Sequence, residues 1–470
     1  MIMTIQETVT KIKSGELSAE KLVLEHLELA RTTGKELNAF TTVIDDALAQ
    51  AKEIDRKVAA GEEVGKLAGI PCTVKDVIMT EGVRTTAGSQ YLKDFIAPYS
   101  ATVVRKIQNE GAIIIGKTNC DPFAFGGSGE NSGYGPALNP RDLARVPGGS
   151  SSGAAAAQAA GIGLFGLGTD TGGSVREPAS FTGTVGFKPT YGRNSRFGLI
   201  AMASSFDTPG IFADSVEDVA YVEQILAGKD PLDATTYDRP VPDYANSQAI
   251  KLKGLKVGLP KEYFEEGLDP EVEQAVRAKV DDLKQAGAEI KEISLPLISK
   301  GIAAYYVLVP AEISSNMARF DGVRFGPKVS DNYVENMMQG RGRFFEDEVK
   351  RRIMIGTYVL SAGYADAYYK TATKVRAKLT QQVTKAFAGV DVILGPTAPC
   401  VAPKIGEKSA DPLSMYLMDS YTVTANLTGC PAISINCGEN KDGMPIGLQL
   451  MTDRFAEDKL FAIARAVEKL

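Results

Sequence analysis

A chain of 470 residues with 52 basic and 58 acidic side chains carries a formal net charge of −6 and a single histidine. The acidic balance argues against direct binding of nucleic-acid phosphate, which clustered Lys and Arg would drive, and one histidine, His26, leaves very little room for histidine-based metal sites or serine–histidine hydrolysis. The cysteines Cys72, Cys120, Cys400, Cys430 and Cys437 form no CxxC pair, which points to reduced, mostly buried thiols rather than zinc ligation or a redox dithiol.

The N-terminus lacks an apolar run of signal-peptide length. The first sixty residues read as helices: Ser18 can cap one through LVLEHLELA, and a second amphipathic pattern covers roughly 42–60. His26 falls on the first of these among leucines and glutamates, as a histidine of the helix surface or face edge. From about residue 67 short apolar runs (IPCTV, then AIIIG) alternate with helical patterns such as VVRKIQNEG, the rhythm of an α/β fold. Between 126 and 198 glycine, serine and alanine dominate, yet placed Asp, Arg and Phe residues mark this stretch as folded rather than as a linker. Its uncharged run from Pro147 to Thr169 is too weakly hydrophobic to span a membrane.

Residues 227–252 are polar and proline-containing, and read as a connection between two lobes. A strand (LKVGLP), a helix opening at Asp269-Pro270 and a strand (AEIKEISL) follow, then a helical region from 302 to about 388. Strands VDVILGP, PAISINCG and PIGLQLM and a helix over 455–470 close the chain. Strands on both sides of the helical region predict one α/β unit over 1–470, with a single large mixed sheet. Its parts are an N-terminal helical segment (1–65), a core (67–210), the connection, and the rest of the sheet with a helical pocket region (253–470).

Three motif matches fail on physical grounds. Gly111 to Thr118 satisfies GxxxxGK[ST], but three consecutive β-branched isoleucines favour a strand where a phosphate loop must wrap. Gly149 to Gly153 satisfies GxSxG, whose mechanism needs a later histidine, and none follows residue 26. Ser18 to Lys21 satisfies SxxK without a companion motif and reads as a helix cap.

Acyl transfer without histidine needs a serine, a base with a pKa near working pH, and donors for the oxyanion. Lysine can be that base where burial lowers its pKa. Lys75 directly follows IPCTV and should end a buried strand. In Thr169-Asp-Thr-Gly-Gly-Ser174 the glycines let backbone amides converge near Ser174.

The run GGSSSGAAAAQAAGIGLFGLGTDTGGSVREPASFTGTVGFKPTYG over 148–192, with the upstream lysine in LAGIPCTVKD, strongly resembles the amidase signature. That resemblance implies the amidase signature fold, helices on both faces of the sheet, and a Ser–cisSer–Lys triad. Ser174 would be the nucleophile, Ser150 the bridging serine with a cis peptide bond, and Lys75 the base. The amides of Thr171, Gly172, Gly173 and Ser174 would form the oxyanion hole, braced by Asp170 and Arg176. The bridging loop reads GGSSSG where GGSSGG is commoner.

Segments outside the signature, over 304–326, 346–376 and 411–435, resemble the A-subunit family of glutamyl-tRNA(Gln) amidotransferases. This implies glutamine hydrolysis, with ammonia passed on to amidate Glu-tRNA(Gln) or Asp-tRNA(Asn). The implied partners are a B subunit that binds tRNA and ATP, plus a small C subunit, tRNA being reached only through the partner. No metal or cofactor is expected in this chain, ATP and Mg belonging to the partner. The expected location is cytoplasmic, without a membrane. Arg352, in preference to its neighbour Arg351, would hold the glutamine carboxylate, and Asp419 its amino group, with Tyr305 nearby. The family's usual KDNI reads Lys-Asp-Val-Ile here, and its MDEFAMGSSTENS-like stretch reads CDPFAFGGSGENS. The competing expectation is a free-standing amidase that hydrolyses small amides with the same triad.

Overall fold

A computed structural model describes residues 3–265, 267–408 and 411–470. Its strands are β1 (Phe40–Val43), β2 (Pro71–Lys75), β3 (Ile113–Thr118), β4 (Phe165–Asp170), β5 (Val185–Lys188), β6 (Thr208–Ala213), β7 (Lys256–Pro260), β8 (Glu289–Ile293), β9 (Val392–Pro396), β10 (Ala432–Glu439) and β11 (Pro445–Met451). They form an 11-stranded sheet in the order β1-β3-β2-β4-β6-β5-β10-β11-β9-β7-β8. The sheet is mixed, as expected: β2 runs parallel to β3 and β4, β7 runs parallel to β8 and β9, and the central strands from β4 to β9 pair antiparallel.

In β2, β3, β4, β5, β6, β9 and β11 every residue is buried. A strand facing water on one side would alternate, so helices cover both faces. The edge strand β8 (EIKEI) does keep its charged residues outward, which discourages pairing with another chain. The two stretches flanking the polar connection meet inside the sheet, where Ile433 of β10 pairs with Phe187 of β5.

Four details depart from the sequence reading. The first sixty residues are not all helical: Phe40–Val43, rich in β-branched residues, is the edge strand β1, paired antiparallel with β3. The second amphipathic helix accordingly starts only at Ala47 and runs to Ala59. His26 is buried, and its Nδ1 accepts the Gly163 amide at 3.0 Å; burial lowers its pKa. The helical region after 302 is divided into Ile298–Asn316, Tyr333–Phe344, Asp347–Leu360 and Tyr369–Phe387.

The declined motifs have structural uses. Residues Ile113–Thr118 are strand β3, and buried Lys117 donates to Ile78 O at 2.6 Å and to Thr85 Oγ1 at 3.0 Å. Ser18 caps the helix Ala19–Arg31, accepting the Lys21 amide. No cysteine forms a disulfide among the described residues; Cys72, Cys120 and Cys430 are buried, and Cys400 and Cys437 half-buried.

Candidate active site

The geometry of the sheet brings the two halves of the site together. β2 and β4 are parallel neighbours, with Val74 beside Leu167, so their C-terminal ends emerge at the same edge. Lys75 is the last residue of β2 and Asp170 the last of β4. The carboxyl ends of adjacent parallel strands are the usual place for a ligand in an α/β sheet.

Lys75 is fully buried. Its Nζ lies 2.7 Å from Ser150 Oγ and 2.9 Å from Thr169 Oγ1. Burial lowers its pKa to about 8, although Cys120, Asp121, Asp170 and Asp207 pull the other way. At pH 7 about a tenth of such a lysine is neutral, against less than a thousandth of an ordinary one. Asp76, next in the chain, turns away from this pair. It accepts from Thr41 Oγ1, from the Thr86 amide and from Thr86 Oγ1, and its carboxylate is 3.5 Å from Lys117.

The Gly149–Ser150 peptide is cis. The Ser150 carbonyl accepts the Asp121 amide at 3.2 Å, so the bridging residue is satisfied from another loop rather than by its flanking serines and glycines. Asp121 in turn accepts the amides of Gly129 and Asn131, and burial raises its pKa to about 6.

The loop after β4 is held by a closed ionic network. Arg176 donates to both carboxylate oxygens of Asp170, at 3.0 and 2.9 Å, and also to Thr422 O, Gln449 Oε1 and Asn426 Oδ1. Both members of the ion pair are completely buried. Burial works to raise the pKa of Asp170, but the charge and hydrogen bonds of Arg176 outweigh it and hold it below the ordinary value.

Within this frame Gly173 has φ +142, and a Cβ there would collide with Thr422 Oγ1. A Cβ at Gly172 would collide with Tyr305 Oη. Both positions therefore need glycine. Thr171 is anchored through its hydroxyl to Asp207 at 2.8 Å. The amides of Gly172, Gly173 and Ser174 donate to no acceptor among the described residues. Ser174 keeps 8% exposure, whereas Ser150 has none. The outer serine is thus open to a substrate and the inner one only to the protein.

The helical region supplies the far wall. Tyr305 and Tyr306 lie on the helix Ile298–Asn316, and Tyr306 Oη donates to Asp419 Oδ2 at 2.6 Å. The Asp419 backbone is tied to the loop, because Thr422 Oγ1 lies 3.1 Å from Asp419 O and 2.6 Å from Gly172 O. Burial raises the Asp419 pKa to about 6, although Tyr306 and Arg352 oppose it. Arg352 is 3% exposed, donates from Nε to Glu348 Oε1 at 2.7 Å, and lies 5.4 and 5.3 Å from the rings of Tyr306 and Tyr416. Arg351 is 41% exposed and pairs with the other Glu348 oxygen.

Among the described residues, no group of His, Cys, Asp and Glu is arranged to hold a metal ion, and no helix is long and apolar enough to cross a membrane. Sequence reasoning did not single out Thr169, Tyr306, Glu348 or Tyr416. Glu348 was findable as the acidic residue one helical turn before Arg352, and Tyr306 as the neighbour of Tyr305. The stacking of Tyr306 on Tyr416, with ring centroids 4.1 Å apart, joins segments more than a hundred residues distant and had no local signal.

The sequence pattern of the Amidase family matches residues 21–461. The chain is 52% identical over 470 residues to the A subunit of glutamyl-tRNA(Gln) amidotransferase from Koribacter versatilis, covering 99% of this chain and 98% of that one. Among solved structures it is similar to the A subunit of glutamyl-tRNA(Gln) amidotransferase from Thermotoga maritima, at 41% identity and TM-score 0.82 over 96% of this chain and 91% of that one. It is also similar to the native peptide amidase from Stenotrophomonas maltophilia, at 31% identity and TM-score 0.83 over 99% and 96%. The two structures superpose about equally well, so backbone shape alone does not choose between their substrates.

Proposed function

The chain belongs to the amidase family, and we propose that it is the glutaminase (A) subunit of a tRNA-dependent amidotransferase. It hydrolyses glutamine to glutamate and ammonia, and the ammonia amidates Glu-tRNA(Gln) or Asp-tRNA(Asn) on a partner protein. The observation that carries this reading is the pairing of two features in one site. A buried lysine lies 2.7 Å from a serine hydroxyl, and a buried guanidinium and a buried carboxylate stand on the opposite wall. The first suits amide cleavage. The second suits a zwitterion, with Arg352 for the carboxylate, Asp419 for the ammonium and Tyr305 beside them.

In this reading neutral Lys75 Nζ takes the proton of Ser150 Oγ, and Ser150 takes that of Ser174 Oγ as Ser174 attacks the side-chain amide carbon of glutamine. The electron pair of the broken C=O π bond moves to oxygen, which the amides of Thr171, Gly172, Gly173 and Ser174 receive. Asp170 and Arg176 hold that loop in place. The oxyanion collapses, the C–N bond breaks, and the proton returns through Ser150 to the departing nitrogen, which leaves as ammonia. Water then attacks the acyl ester, giving one proton to the same relay. Glutamate leaves and Ser174 recovers its hydrogen.

The chain's acidic balance and its declined phosphate loop agree with tRNA and ATP binding by a B subunit, with a small C subunit completing a cytoplasmic complex. The chemistry assigned to this chain uses only its own side chains and water, and ATP and Mg are placed on the partner. The test is glutamine hydrolysis by the purified chain, alone and then together with tRNA and the B subunit. Slow turnover accelerated by the partner is expected. Robust turnover of varied small amides by the lone chain, with none for glutamine, overturns this reading in favour of a free-standing amidase.

A further inference from the structure

Glu177 has no role in the relay above, yet its placement is unusual. It lies three residues after Ser174 in the first turn of the helix Arg176–Thr182, and its amide donates to Gly173 O at 2.8 Å. It is completely buried. Neither carboxyl oxygen has a hydrogen-bond partner among the described residues. An unpaired buried carboxylate is among the costliest groups a fold can carry, and one with two idle oxygens calls for an explanation.

The neighbours of this carboxyl are themselves mostly acidic. A Cβ built on Gly127 would lie 3.8 Å from Glu177 Oε2 and 3.8 Å from Met415 Sδ, which places the carboxyl against the loop 126–128 and the segment leading to Asp419. Burial first, and then the charges of Asp419, Asp121 and Asp170, raise its pKa well above the ordinary value. No lysine or arginine is among the charges that act most on it, and Arg176, next in the chain, gives its hydrogen bonds to Asp170 and other groups instead. Asp419 itself gives one oxygen to Tyr306.

We infer that Glu177 is a specificity-determining residue that, together with Asp419, receives the α-ammonium group of the amide substrate. Two buried carboxyls close enough to act on one another, one of them without any donor, suit a cation that brings its own hydrogens. Without that cation Glu177 holds a proton, which lowers its charge cost. When the ammonium enters, the carboxyl releases its proton to water and pairs with the N–H groups. The charge count stays balanced, because one bound cation replaces one bound proton. The consequence is selection for a free α-amino group: an amide without one leaves Glu177 unpaired.

The inference rests on the glutamine reading, and the test separates the two. In the full chain with Ser174→Ala, binding of glutamine is compared with binding of glutaramic acid, which is glutamine without its α-amino group. Adding Glu177→Gln is expected to weaken glutamine binding about tenfold, the scale of one charge-assisted hydrogen bond, and to leave glutaramic acid unchanged. Calorimetry near pH 7 in buffers of different ionisation enthalpy is expected to show proton release on glutamine binding that Glu177→Gln reduces. Glu177→Met, which fills the same space without a carboxyl, is expected to behave alike and serves if the glutamine variant misfolds. Unchanged glutamine binding, or equal weakening of both ligands, overturns the inference while leaving the proposed function standing. If the unsubstituted chain hydrolyses other amides and never glutamine, the function falls and the inference falls with it.

Discussion

Arg176 and Arg352 are the same residue type at nearly the same burial, each beside a carboxylate, yet they use their donors in opposite ways. Arg176 gives hydrogen bonds from Nε and both terminal nitrogens, all to groups of its own scaffold: Asp170, Thr422, Gln449 and Asn426. Arg352 donates one hydrogen bond, from Nε to Glu348, among the described residues, and its guanidinium lies beside the stacked rings of Tyr306 and Tyr416. A guanidinium has five donors. One that spends them on the fold is a brace, and one that keeps them is equipped to hold an anion. The acids divide the same way, with Asp170 fully engaged and Glu177 idle. Burial alone therefore does not separate groups spent on the fold from groups left free to bind, whereas the count of used donors and acceptors does.

The strongest way to break this division is at the loop itself. Ser174→Ala is expected to abolish glutamine turnover, by at least about a thousandfold, with an unchanged thermal midpoint; near-normal turnover would remove Ser174 as nucleophile. Arg176→Met should act on stability instead, because it leaves Asp170 buried and unpaired. A loss of about 3–5 kcal/mol in denaturant unfolding is expected, and a loss under 1 kcal/mol would mean the network is not a brace.

Arg352→Leu should do the reverse. It is expected to raise KM for glutamine roughly 10- to 100-fold, the worth of hydrogen bonds to a charged group, while leaving KM for a simple amide without a carboxylate nearly unchanged. Equal losses for both substrates would return Arg352 to the scaffold class. The pH profile reports on Lys75. Its pKa of about 8 lies below the ordinary lysine value, and the neutral form is the one that accepts a proton. Turnover should therefore rise about tenfold per pH unit below pH 8 and level off above it. A plateau already reached at pH 6 contradicts lysine as the base. The smallest effect is expected for Arg351→Ala, whose partly exposed ion pair with Glu348 contributes under about 1 kcal/mol. A glutamine KM moved as far as by Arg352→Leu would reverse the roles of the two arginines.

Much of the sheet was legible because most strands are continuous apolar runs with turn residues at their ends, as IPCTV, AIIIG and VDVILGP show. β1 was hidden because FTTV is short, half-buried and preceded by helix-forming sequence. His26 was misplaced because its burial comes from the Gly163 loop, which lies 137 residues away and leaves no trace in helical periodicity. The signature loop could be read through its resemblance over 148–192, since Gly-Gly-Ser alone, which the chain repeats at 126–128 and 148–150, reads as a turn. The tyrosines around Arg352 and the isolation of Glu177 could not, because neither has a fixed spacing.

The sequence by itself narrowed the class of chemistry, and its resemblance to the amidase signature named it. One histidine and a lysine at the end of an apolar strand restrict which nucleophile and base the chain can offer, and glycines at 172 and 173 determine where amides can converge. Tertiary structure alone decided which charges are in use. Hydrogen-bond satisfaction depends on which segments meet, and the parallel pairing of β2 with β4 is what places Lys75 beside Thr169. The same folding surrounds Glu177 with acids and leaves it without a donor, a property no residue carries until its neighbours are assembled.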